Sequence, residues 1–319
     1  MAALLVLVSH SVICHSAPEA PHLFTGAGLG ANIFFLISGF LITASWVHHP
    51  DAGHYFRNRA LRIFPALVVP VVGCAYLLGP IVTTLPVADY FSSAGTHIYL
   101  FNLLLITIPF LPGVFTTNPY PMVVNGALWT LPIEFLMYVM VAALGVVGLL
   151  RREIALIILI AATYGLFANY YSSAHLDIST FGTNSCIVFF LIGTAFYFFF
   201  PIIPWRLPIS LLCLILMITA FYLHSFILYM VALPYLVFFC VFSKRLPFQR
   251  WSKYGDFSYG LYIYSTPVTQ TLVHYFPGLS LVWFIPCVFL ITLLFAFASW
   301  HLVEKHALKL KKTVLHRTA

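Results

Sequence analysis

The chain has 319 residues, 62% of them hydrophobic and 7% charged, with a mean hydropathy of +1.00. That leaves too little polar surface to coat a water-soluble globule and places the chain in lipid. The net charge of +7 reflects 15 basic residues against 8 acids; because the basic residues sit in short segments between apolar runs and in the C-terminal tail, they read as membrane topology and not as nucleic-acid binding.

Apolar runs fall near 1–16, 28–47, 65–84, 96–112, 128–150, 154–172, 183–203, 207–223, 225–242, 257–275 and 280–302. Their length suits helices, since a bilayer core of about 30 Å takes about 20 residues at 1.5 Å each, whereas barrel strands are about half as long. The predicted fold is an all-α, polytopic transmembrane bundle forming one domain over 1–319. If every run crossed, the Arg57, Arg59 and Arg62 cluster would face away from Arg151, Arg152, Arg206, Lys244, Arg245, Arg250, Lys253, Lys305, Lys309, Lys311, Lys312 and Arg317. If the run 96–112, broken by Pro109 and Pro112, enters and leaves on the outer side, all fifteen share one face. Ten crossings follow, with both termini cytoplasmic and the 96–112 segment re-entrant.

The first run carries His10 and His15. It lacks a basic leading stretch and a small-x-small cleavage site, so it reads as a span short at its beginning and not as a removable signal. His10 is the more embedded. An imidazole there either bonds a neighbouring helix or serves as a general base for a hydroxyl. In the second run, Ser38 and Gly39 interrupt bulky residues in Phe34-Phe35-Leu36-Ile37-Ser38-Gly39-Phe40-Leu41, a pattern that lets helices approach closely. Without a GxSxG elbow, Ser38 is a weak nucleophile candidate.

Arg57, Arg59 and Arg62 lie at the entrance to the third run. They are topogenic charge, and the spacing of Arg59 and Arg62 also makes a fork suited to phosphate. Asn125-Gly126-Ala127-Leu128-Trp129 leads to Glu134, the one acid in the interior of any apolar run. A carboxylate there is costly unless paired. Placed in the outer half of its helix, it is expected to meet and orient His10, as the acid of a catalytic triad does; the alternative is a structural pair with a Tyr or Trp. Asp256 reads as an N-cap for a helix bearing Tyr259, Tyr262 and Tyr264, and Glu304 as an interfacial acid paired with a nearby Arg or Lys. Cys14, Cys74, Cys186, Cys213, Cys240 and Cys287 lie singly in apolar stretches and read as small buried hydrophobes, and neither HExxH nor CxxC occurs, so no metal site is expected.

Taken jointly, His10, the Phe34 to Leu41 stretch, Arg59 to Pro65, Trp129 to Glu134, the Ser258-Tyr259-Gly260-Leu261-Tyr262 helix and Glu304 resemble the acyltransferase-3 family of bacterial integral-membrane acyltransferases, over essentially the whole chain. Two departures stand out: one extra residue precedes Pro65, and the Arg that the family places eleven residues before its His would fall before Met1. The resemblance implies an O-acyltransferase in the bacterial inner membrane. It would move an acyl group, usually acetyl from acetyl-CoA, to a hydroxyl of a surface glycan such as lipopolysaccharide or exopolysaccharide, or of a lipid-linked saccharide. On that expectation His10 and Glu134 are catalytic, Arg57, Arg59, Arg62 and Tyr259 hold the donor, and Ser38, Trp129 and Asn125 contact the acceptor; a form extended at the N-terminus is expected to be more active. A membrane transporter or flippase of lipid-linked sugars is the alternative, since buried His and Glu also relay protons.

Overall fold

The computed structural model describes residues 2–16, 26–172, 178–242 and 255–310. Of the basic residues read as topogenic, Lys244, Arg245, Arg250, Lys253, Lys311, Lys312 and Arg317 lie outside the described residues. The protein is all-α: α1 (Ala2–Ser16), α2 (Gly26–His48), α3 (Ala52–Gly73), α4 (Thr130–Val146), α5 (Arg152–Ser172), α6 (Ile178–Phe199), α7 (Leu207–Leu223), α8 (Phe226–Phe242), α9 (Ser258–Tyr275) and α10 (Leu281–Ser299). A π-helical turn at Cys74–Leu78 joins α3 to a short helix ending at Val82, and another at Trp300–Glu304 extends α10 to Lys309. Among the described residues there is no strand, only an isolated bridge between Phe110 and Val123. Five helical stretches, within 28–48, 52–82, 126–146, 182–202 and 281–309, are long and apolar enough to cross a membrane, and shorter apolar helices accompany them. The chain is a multi-pass membrane protein.

Contacts fix the helix directions. Asn32 bonds Ser185 near the starts of α2 and α6, and Thr43 bonds Thr194 eleven residues on, so these two helices run parallel. Tyr55 near the start of α3 bonds the Tyr138 carbonyl in α4, and Arg62 bonds Asp256 just before α9. The C-terminal ends of α2, α4, α6 and α10 therefore share one end of the bundle with the N-terminal ends of α3, α5, α7 and α9. All the described basic residues, Arg57, Arg59, Arg62, Arg151, Arg152, Arg206, Lys305 and Lys309, gather at that end.

The segment after α3 explains how. Thr83 donates to the Pro112 carbonyl at 2.7 Å and the Thr84 amide to Gly113 at 3.0 Å, so the chain leaves the top of α3 and returns beside it without crossing. Between them lie short helical turns at Val87–Ser92, Ala94–Ile98 and Tyr99–Leu104. From Gly113 an irregular backbone descends to α4. It is covered by protein, as bilayer depth requires: Val114, Phe115, Asn118 and Val124 are buried, and Gln270 of α9 donates to the carbonyls of Tyr120 and Val123 while Asn118 donates back to Gln270. Leu105, Phe115 and Met122 adopt positive φ there, a local strain that these bonds offset.

The most extensive contact in the bundle joins α2 to α6. A Cβ at Gly39 would lie 2.0 Å from the Phe190 carbonyl oxygen, and one at Gly193 would lie 2.0 Å from that of Leu36. Glycine on both partners is what lets the backbones touch. Of the cysteines, Cys14, Cys74, Cys186 and Cys213 are buried as expected, Cys287 is half-buried, and Cys240 is exposed.

Candidate functional site

Glu134, 4% exposed, projects from the second turn of α4. Its Oε1 accepts from the Ser38 hydroxyl of α2 at 3.4 Å and, more tightly, from the Tyr138 hydroxyl one turn further along α4. The guanidinium of Arg59 lies 5.9 Å from the ring centroids of both Tyr55 and Tyr138, and the fields of Arg59 and Arg62 reach Glu134. Two cations and two hydroxyls offset the cost of embedding this carboxylate.

The three arginines differ in their commitments. Arg62 is held by two acids, Asp256 at 2.6 Å and Glu304 at 3.5 Å, and lies 5.7 Å from the Tyr259 ring centroid. Glu304 also accepts from Ser299, and its ion pair with Arg62 ties the end of α10 to α3. Arg62 is thus spent on internal pairing, which corrects the expectation that it forks onto a donor phosphate. Arg59 makes no ion pair among the described residues, and its Nε is buried without a hydrogen-bond partner. Arg57 lies half-buried on the same helix. Asp256 precedes the cap position of α9 and accepts from the Ser258 amide and hydroxyl, a capping role close to the one expected. Burial alone would raise its carboxyl, but Arg62 and Ser258 outweigh this and hold it below the usual carboxylate range.

His10 stands apart. Its Nδ1 is buried and has no hydrogen-bond partner among the described residues. His15, by contrast, bonds the Leu279 carbonyl at 2.7 Å and packs on Phe284. The level of His10 follows from the register of α1: Gly30 of α2 abuts Ala2 and Val6, Phe34 stacks on Tyr262 near the start of α9, and His15 reaches Leu279 beyond its end. Only an α1 antiparallel to α2 satisfies all three. From Ser38 to Gly30 is eight residues and from Val6 to His10 four more, so His10 sits about 18 Å from the Ser38–Glu134 pair along the bundle axis.

The expected His10–Glu134 contact is therefore not made. The cause is the irregular descent before α4: because that helix begins deep in the bundle, position 134 falls level with the arginines of α3 and not near the outer surface. Between the two levels, Phe34 and Tyr262 form a stacked pair, with Phe34 38% exposed, and the Tyr262 hydroxyl bonds Thr130 and the Ala127 carbonyl.

The remaining expected residues lie as follows. Asn125 donates to the Ile263 carbonyl and accepts from the Ala127 amide, capping the turn that opens α4. Trp129 is half-buried with its ring edge beside Gly182 of α6. Tyr259 donates to the Ile63 carbonyl beneath Arg62. Sequence reasoning did not single out Tyr138, whose spacing of four from Glu134 put it on the same helical face, or the bond of Tyr262 to Thr130, which no local pattern marks.

A family model described as an acyltransferase domain matches residues 1–301. An O-acetyl transferase of Shigella phage Sf6 is 28% identical over 326 residues, covering 97% of this chain and 93% of that protein. Nodulation protein 10 of Rhizobium leguminosarum bv. viciae is 27% identical over 325 residues, covering 90% of this chain and 84% of its own. No solved structure matches.

Proposed function

The chain belongs to the acyltransferase-3 family and is an O-acyltransferase of the membrane; from that premise we propose that it carries acetyl from cytoplasmic acetyl-CoA to a hydroxyl of a cell-surface or lipid-linked glycan, in the bacterial inner membrane with both termini inside. The observation that carries this reading is the spacing between Arg59, which makes no ion pair among the described residues, and His10, whose buried Nδ1 has no hydrogen-bond partner among them. From diphosphate to sulfur the donor's pantetheine arm has about a dozen bonds, roughly 15 Å when extended. With a phosphate on Arg59 and Arg57, the extended arm brings the thioester to within about 3 Å of the level of His10. Phe34 and Tyr262 line the way between them.

At that level His10 accepts the proton of the acceptor hydroxyl as its oxygen attacks the thioester carbonyl. A C–O bond forms, the C–S bond breaks, and the proton passes to the departing thiolate. Glu134 acts through others: it holds Ser38 and Tyr138 and balances Arg59. The clustering of all described basic residues at one end supports a cytoplasmic donor side, since such residues remain inside. The printed name of the phage relative supports acetyl as the group moved.

The test is transfer of radiolabelled acetyl from acetyl-CoA to glycan in membranes containing the full chain. Transfer lost in His10→Ala and in Arg59→Ala, with protein levels maintained, is the expected result. Label transfer that persists in His10→Ala rejects the mechanism, and a chain that carries no label from acetyl-CoA under any acceptor rejects the donor.

A further inference from the structure

On the side of α6 turned away from α2, helices α5, α6, α7 and α8 enclose a groove of about 860 Å³. Ile160, Phe167, Ile192, Cys213, Val231 and Pro234 form most of its wall, and the polar surface within it is slight. At bilayer depth such a hollow is filled by hydrocarbon, because water there would find no hydrogen-bond partners. One end is chemically distinct. Ile203, Pro204 and Tyr235 close it, the Tyr235 hydroxyl donates to the Pro204 carbonyl and accepts from the Arg206 amide, and Arg206, an exposed residue, thus follows directly on that mouth, on the same basic end of the bundle as Arg59.

The geometry points to a binding site for one phospholipid with a net anionic headgroup, its acyl chain in the groove and its phosphate on Arg206. The hydrophobic wall selects the chain, and the single cation selects the charge of the head. The groove is separated from Glu134 and His10 by the α2–α6 contact, so its occupant is a bound lipid of the scaffold and not the acyl acceptor. The site is independent of the reaction assigned above.

Native mass spectrometry of the purified full chain, titrated with phosphatidylglycerol or phosphatidylcholine of the same acyl composition, reads this directly. Retention of phosphatidylglycerol is expected to exceed that of phosphatidylcholine about fivefold, the effect of one cation near an anionic head. Arg206→Gln, at an exposed position, is expected to abolish that preference. Val231→Trp, which narrows the groove from a half-exposed position, is expected to reduce retention of both lipids, while Leu211→Trp on the outer surface of α7 leaves retention unchanged. Equal retention of the two lipids by the unaltered chain, a preference that survives Arg206→Gln, or retention indifferent to Val231→Trp overturns the proposal, as does recovery of a lipid-linked saccharide in place of phospholipid.

Discussion

Ser38 of α2 donates to Glu134 of α4 at 3.4 Å, across a gap between helices that pack directly at the same level as Arg59. Glu134 joins α2 to α4 within the field of the Arg59 guanidinium. Replacing Glu134 with Gln keeps the shape and removes the charge that balances Arg59, so acyl transfer is expected to fall about 10²-fold or more. Tyr138→Phe removes one of the two hydroxyls and is expected to fall less. Initial rates with labelled acetyl-CoA in membranes measure both.

Arg59→Ala and Arg62→Ala are expected to separate binding from stability. With no ion pair of its own, Arg59 can be removed at the cost of donor affinity, seen as a rise of about tenfold or more in KM for acetyl-CoA. Removal of Arg62 leaves Glu304, 3% exposed, without its counter-charge. That costs about 3 kcal/mol, measurable as a fall in Tm of the purified protein. Combining Arg62→Leu with Glu304→Leu should recover much of the loss, because neither buried charge then lacks a partner.

Gly39→Leu is expected to separate α2 from α6. Even a single Cβ at that position meets the Phe190 carbonyl oxygen at 2.0 Å, and overpacking of this kind costs about 1–3 kcal/mol for each methylene-sized intrusion. Poor recovery of folded protein from membranes, with Gly148→Leu kept as a control for position in a loop, is the measurement; the Cβ at Gly148 meets nothing within 4 Å, but its φ of +71 limits the control to a comparison of magnitude.

The Asp256–Arg62 pair sets a pH dependence. Its carboxyl titrates below the ordinary range when folded, so its stabilisation is full above the unfolded value and is lost as pH falls through the lowered one. The difference in Tm between the unaltered protein and Asp256→Asn is therefore expected to be constant from about pH 6 to 8 and to shrink as pH falls through and below the ordinary carboxylate range. With about half of the Asp256 side chain exposed, the difference is small.

Helix-length runs, the one-sided placement of Arg and Lys, and Pro109 and Pro112 made the bundle and the non-crossing segment legible from residues alone. The pairing of Glu304 with Arg62 was readable as an interfacial acid paired with a nearby base. The depth of Glu134 was not, because it depends on how far the stretch from Gly113 to Asn125 descends, and that follows from Gln270 and Asn118, residues about 150 positions apart with no shared local pattern. Likewise the burden carried by Arg62 but not Arg59 comes from acids near both ends of the C-terminal region, which spacing within α3 cannot register.

The late start of α4 has a further effect on the outer leaflet. Where a regular helix would keep every peptide group bonded within itself, the stretch above Thr130 relies on side chains of α9 for its hydrogen bonds. On the function proposed above, acceptor preference is then expected to change by substitution in that stretch and in its α9 partners, while Arg57 and Arg59 stay as they are.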